Sequence, residues 1–270
     1  MELLKAKAKN LLESGAVKLI IGYGKGLEDS VRAIFIRKPS DIDKLIFNEQ
    51  CRQNLAVYLT KHEIKKFGKS GIVAHLSTVR AILQLASENQ LKEDDVVVLA
   101  VTAAGEVVEL SGFKSMEEYV ASSALDLPEA DREVILKLQA MSREERWTFW
   151  MEQLSRCIKC YACRASCSMC YCGRCQVEYN QPQWLTAEAS PMGNFEWHVT
   201  RAMHLAGRCV NCGECSRACP VAIPLHLLNF VTVGTVKDKF NVAAGTSASL
   251  EPVMSNFRPD DKEDFIKHGN

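Results

Sequence analysis

Cys157-Ile158-Lys159-Cys160-Tyr161-Ala162-Cys163-Arg164-Ala165-Ser166-Cys167 spaces four thiols as C-x2-C-x2-C-x3-C. Cys209, Cys212, Cys215 and Cys219 repeat the spacing, with Pro220 after the last. Two-residue gaps let a tight loop turn three thiols toward one point. A three-residue gap places the fourth on a helical turn that faces away. The chain has 12 cysteines. Eleven lie between Cys157 and Cys219, and Cys51 alone stands apart. Crowding of this kind in a chain expected to be cytoplasmic points to metal ligation, because the cytosol keeps thiols reduced.

Two copies of this run are the ligand pattern of paired [4Fe–4S] clusters, in which three cysteines hold one cluster and the fourth reaches across to the other. The expected ligands are Cys157, Cys160, Cys163 and Cys219 for the first cluster. Cys209, Cys212, Cys215 and Cys167 serve the second. Zinc also binds C-x2-C pairs, but a zinc site takes four ligands and not a repeated three-plus-one. Ser168 stands where the first run would normally carry proline. That proline shapes the loop and excludes water without ligating, so its loss bears on the potential more than on assembly.

Cys170, Cys172 and Cys175 follow as C-x-C-x2-C. They are either spare buried thiols or three ligands of a third site. Completed by Cys51 from the other half of the chain, that site would be a third [4Fe–4S] cluster. Zinc is its rival, with His198 or His204 in place of Cys51 as fourth ligand.

Outward from the cysteines, residues 112–154 read as a helical connector. Ser115 with Glu118, and Ser142 with Glu145, have capping-box spacing. Pro128 suits the opening of a helix containing Val134, Ile135 and Leu138. Trp147, Trp150 and Leu154 share a stripe that leads into Cys157, a core feature rather than a cofactor box. Residues 1–111 read as an α/β domain. Strand runs are expected over Val17–Ile21, Val31–Ile36, Gly71–Ala74, Val96–Val101 and Val107–Leu110. Thr78–Glu88 puts Val79, Ile82, Leu83 and Ala86 on one helical face, so strand, helix and strand suggest a parallel βαβ unit. Gly22, Gly24 and Gly26 follow a strand but precede another, which favours a hairpin over a nucleotide loop. The expected whole is an α/β N-terminal domain and an α+β ferredoxin-like dicluster domain over 155–228, joined by the helical connector. Residues 229–270 follow as a polar tail.

Composition narrows the function. The chain of 270 residues balances 33 Lys+Arg against 33 Asp+Glu, giving no basic excess for nucleic acid or an anionic membrane. Zero net charge leaves little self-repulsion and suits a subunit docked on others. Met1–Asn10 has no continuous apolar core of a secretory signal, and no apolar run approaches the ~20 residues of a membrane span. The six histidines lack spacing such as H-E-x-x-H, and no nucleophile triad is present.

The segment Phe47–Tyr58 with Cys51, Gly71–Asn89, Arg146–Cys175 with Cys170-Tyr171-Cys172, and Ala206–Leu228 with Gly207-Arg208-Cys209 together resemble the dicluster ferredoxin-type subunits related to the beta subunit of deazaflavin-reducing hydrogenases and dehydrogenases. That family accompanies formate dehydrogenases, hydrogenases or heterodisulfide-reductase-like flavoproteins in anaerobic complexes. The resemblance implies an electron relay through the eight paired cysteines, within a hetero-oligomer. The alternative is a flavin-containing oxidoreductase subunit whose α/β domain couples two-electron chemistry to the clusters. Related sequences read Lys-Gly-Cys-Asp after the strand where this chain has His75-Leu76-Ser77-Thr78-Val79 before Arg80. The polar and thiol groups of a flavin or substrate loop are therefore missing.

Overall fold

The apolar runs of the first half form one five-stranded sheet in the order β2-β1-β3-β4-β5. The strands are β1 Leu19–Lys25, β2 Val31–Ile36, β3 Ser70–Ala74, β4 Val96–Val101 and β5 Val107–Ser111. The structure is a computed structural model and describes residues 1–123, 129–179, 181–254 and 256. β1, β3 and β4 are parallel, with Ile72 opposite Ile21 on one side and Val98 on the other. β2 and β5 close the two edges antiparallel. Every residue of β3 and β4 is buried, which a sheet achieves only when both faces are covered. That explains why these runs are continuously apolar rather than alternating.

Gly22 and Gly24 lie within β1, and Gly26 follows it in the turn of the hairpin with β2. A Cβ on Gly24 would lie 2.5 Å from a methyl of Ile34 on the partner strand, so the close strand approach requires glycine there.

Ten α-helices accompany the sheet among the described residues: α1 Glu2–Glu13, α2 His62–Lys65, α3 Leu76–Ser87, α4 Phe113–Ala121, α5 Glu129–Ala140, α6 Arg143–Ser155, α7 Ala162–Ala165, α8 Pro191–His204, α9 Glu214–Arg217 and α10 Leu225–Phe240. α3 supplies the crossover between β3 and β4 and buries Val79, Ile82 and Leu83 completely. The connector does not separate cleanly. Met116 and Val120 of α4 belong to the sheet's own core. Ser115 is not the cap of α4: Gly112 takes that position, and Ser115 Oγ donates to the carbonyls of Ser111 and Gly112. Ser142 and Glu145 do form the expected capping box at α6, with Ser142 Oγ accepting from Glu145 N at 3.2 Å. Pro128 lies outside the described residues.

Two further expectations need correction. Among the described residues, 155–228 holds helices and loops and no strand, so its α+β character is not seen. The cysteine loops spend their backbone on tight turns and leave no extended run to pair. The polar tail is also shorter than expected, since α10 continues to Phe240. Beyond it the chain returns to α3 and α4. Arg80 donates to Ala244 O at 2.6 Å, Gly245 N donates to Gln84 Oε1 at 2.9 Å, and Ala248 N donates to Glu117 Oε1 at 2.8 Å. Gly245 has φ +71 and sits against the backbone of Arg80, a place where a side chain has neither room nor an easy conformation.

The core of the sheet extends into the cysteine-rich half. The cluster of buried side chains around the sheet includes Met169, Leu205 and Val210, and Cys167, Cys170, Cys209 and Cys212 pack against it. The polar fastening is Glu88, just past α3. Arg208 Nε donates to its carboxylate at 2.9 Å, and Tyr171 Oη at 2.8 Å. Burial pushes the Glu88 carboxyl up, but hydrogen bonds from Arg208, Gln84 and Tyr171 outweigh it and hold it below its ordinary 4.5. The folded state therefore binds the proton less readily than the unfolded one. This contribution is complete above pH 4.5 and is lost as pH falls through the depressed folded value. Glu88→Ala leaves Arg208 without its counter-charge, with an expected cost of about 3 kcal/mol. A lower denaturation midpoint at neutral pH, converging with the parent chain in acid, is the signature to look for.

Candidate metal centre

The two cysteine runs fold as conformational copies. In each, the second and fourth residues after the first cysteine are left-handed: Lys159 and Tyr161 at φ 50 and 58, Asn211 and Gly213 at φ 55 and 76. Asn and Gly accept this region readily, whereas Lys and Tyr carry roughly 1–2 kcal/mol each. Such strain persists where the surroundings over-determine the loop. The reversal turns backbone N–H groups toward sulfur, and Lys159 N donates to Cys157 Sγ at 3.3 Å. α7 and α9 then carry Cys163 and Cys215, and the last cysteine of each run falls just beyond its short helix.

This local geometry sorts the thiols into three pockets. Cys157, Cys160, Cys163 and Cys219 line the first, with Trp197 and His198. Cys209, Cys212 and Cys215 line the second, and the fourth thiol there is Cys167. The fourth cysteine of each run thus faces the pocket of the other. Cys170, Cys172 and Cys175 line a third pocket, with His204 and Arg208. Cys51 is not brought to it. Its thiol is fully buried beside the sheet, where Asn48 N donates to Sγ at 3.3 Å. The 48–54 segment meets the second cysteine loop instead, with Arg217 donating to Arg52 O at 3.4 Å.

Burial dominates the electrostatics. It raises the Cys157, Cys212 and Cys215 thiols, takes Cys163 up to about 11 and Cys209 up to about 12. Cys170 is raised first by its hydrogen bond with Cys167 and then by burial. Without a metal these groups are thiols, and binding one must displace their protons.

α8 contributes lining to all three pockets, and its role was not read from the sequence. Ser190 followed by Pro191 is the available signal: Ser190 Oγ caps the helix, accepting from Gly193 N, and proline fills the first turn. Asn194 ties α8 to the first loop by donating to Cys157 O at 2.8 Å. Arg201 is 5% exposed, donates to Cys163 O at 3.0 Å and lies 3.7 Å from Cys170 Sγ. His198 is buried, and burial lowers its pKa to about 3. Burial, then Arg208, also lowers the pKa of His204.

Among the described residues, three buried nitrogens on α8 have no hydrogen-bond partner: Trp197 Nε1, His198 Nε2 and Arg201 Nε. All three residues line cysteine pockets. Buried donors are almost always satisfied, so an acceptor belongs there. The bridging sulfides of an iron–sulfur cluster are such acceptors, and a zinc ion offers none. Among the described residues, no three His, Cys, Asp or Glu side chains converge as a single ion requires.

No family model matches the chain. Over 106 residues it is 31% identical to the F420-dependent formate dehydrogenase subunit beta of Methanocaldococcus jannaschii. This is a distant similarity to a dehydrogenase beta subunit. The matched segment covers 39% of this chain and 27% of the relative, about a quarter of that protein's length. No helix among the described residues is long and apolar enough to cross a membrane.

Proposed function

We propose that this chain is an electron-transfer subunit of an oxidoreductase complex, holding two [4Fe–4S] clusters and passing single electrons between partner subunits. The reading rests on the exchange of fourth cysteines between two four-thiol pockets. The unpartnered donors of α8 support sulfide-bearing clusters over zinc, and the similarity to a formate dehydrogenase beta subunit supports a redox complex as host. A formate dehydrogenase, a hydrogenase or a heterodisulfide-reductase-like flavoprotein is the partner class.

A [4Fe–4S] cluster supplies one-electron redox chemistry when bound. The chain's own part is ligation, water exclusion and charge. Trp197, Ile223 and Leu225 close the first pocket. Asn229 Nδ2 lies 3.6 Å from Cys215 Sγ, and Ile223 N lies 3.4 Å from Cys219 Sγ. Hydrogen bonds to sulfur raise a cluster's potential.

The name of the relative favours a second reading, a flavin in the α/β half coupled to the clusters. The turn after β3 argues against it. His75 there is engaged with Cys51 O and packs against the Phe47 ring at 4.9 Å and the Tyr23 ring at 6.0 Å. Anaerobically purified protein is expected to be brown, to bleach with dithionite, and to release no flavin on acid denaturation. Stoichiometric flavin, with substrate-driven bleaching of the clusters, would favour the enzyme instead.

A further inference from the structure

The third pocket has three thiols and no fourth. Eight cysteines are committed to the two four-thiol pockets, and Cys51 is held beside the sheet by Asn48. Among the carboxylates, imidazoles and thiols that commonly bind iron, the lining of this pocket offers one group besides its own cysteines, the imidazole of His204. His204 ends α8, one turn after Arg201, so both project from one side of the helix. Arg201 reaches Cys170 Sγ at 3.7 Å, which fixes that side toward the thiols. His204 is exposed, and among the described residues its ring makes no hydrogen bond, so it is free to turn toward the thiols, unlike His226, whose two ring nitrogens are both engaged.

We infer that Cys170, Cys172, Cys175 and His204 form a third [4Fe–4S] site, with His204 as its nitrogen ligand in place of the Cys51 expected from cysteine arithmetic. The inference rests on the iron–sulfur reading above. Imidazole is neutral where thiolate is anionic, so this cluster carries one negative charge fewer than its neighbours in the same oxidation state. It is therefore the easiest of the three to reduce, as replacement of cysteine by histidine raises the potential in other iron–sulfur centres. Arg201, which lines the pocket, acts in the same direction, whereas Arg208 is neutralised by Glu88. A single electron delivered to the chain would rest there. Cys172 is exposed, which puts the site at the surface where a partner can exchange electrons with it.

The test uses the full chain, reconstituted anaerobically with iron and sulfide, and its His204→Ala, His204→Cys and Cys51→Ser variants. The parent chain is expected to hold about twelve irons, four per cubane. Its most easily reduced cluster should show strong ¹⁴N hyperfine coupling in pulsed EPR. His204→Ala should lose that coupling and either about four irons or, on mild oxidation, one iron to give a three-iron signal. His204→Cys should restore about twelve irons without the nitrogen coupling and with a lower potential for that cluster. Cys51→Ser should match the parent chain. Unchanged iron and unchanged nitrogen coupling in His204→Ala would overturn the assignment, as would loss of a cluster in Cys51→Ser. About eight irons in the parent chain, with or without one zinc, would overturn the third cluster and leave the two-cluster relay standing. A parent chain that binds no iron would instead remove the relay itself.

Discussion

Replacing Cys167 by alanine is expected to strip a ligand from the second cluster, although Cys167 belongs to the first cysteine run. It lines the pocket of Cys209, Cys212 and Cys215. The reciprocal change, Cys219→Ala, should damage the cluster of Cys157, Cys160 and Cys163. Each variant should lose about four irons, or convert one cluster to a three-iron form, while the remaining ferredoxin-type cluster keeps its EPR signature. The two lesions should be spectroscopically distinct. A double variant lacking Cys167 and Cys219 should lose both. If Cys167→Ala and Cys157→Ala instead gave one and the same lesion, the exchange of fourth ligands would be wrong and each run would hold its own cluster. The effect is large because a cubane with an open iron corner is the form most readily lost to oxidation and chelation.

The second large effect is electrostatic. Arg201 acts on the thiols of all three pockets: Cys170, Cys167, Cys163 and Cys215 are the groups it feels. Arg201 is 5% exposed, and among the described residues its partners are the Cys163 carbonyl and Cys170 Sγ, with no carboxylate bonded to it. An isolated buried cation is costly, so anionic clusters are the natural counter-charge. Arg201→Met keeps much of the volume and removes the charge. At an effective dielectric of about 20, a unit charge several ångströms from a cluster is worth roughly 2–4 kcal/mol, and at 59 mV per factor of ten that is on the order of 100 mV. The expected result is a negative shift of this size in at least one cluster potential, and Arg201→Lys should recover part of it. An unaltered set of potentials in Arg201→Met would show that the charge is screened. In the chain without metal the sign reverses: losing the buried cation should relieve strain, so the variant's apoprotein should be no less stable.

The sheet was legible because its strands are buried on both faces. Val96–Val101 and Gly71–Ala74 are apolar without interruption, which only a covered parallel strand tolerates. The two four-thiol pockets were legible for a different reason, since thiol spacing fixes which sulfurs a tight loop can bring together. What escaped was everything set by long-range packing. Cys51 satisfied the cysteine count, yet its thiol is held by Asn48 within the sheet's own core. Glu88, Tyr171 and Arg208 come from three separate stretches, and nothing local marks them as partners. The strap at Ala244 and Gly245 follows a polar, featureless stretch whose fixed groups are backbone atoms, invisible to side-chain patterns. α8 carried a visible start signal in Ser190-Pro191, but its lining residues are defined only once both cysteine loops fold against it.

Iron and acid-labile sulfide per chain, measured on anaerobically purified protein alongside zinc, test the central claim most directly. Two four-thiol pockets require at least about eight irons with matching sulfide, rising to about twelve with the third site filled. Stoichiometric zinc without sulfide in a folded, colourless protein would contradict it.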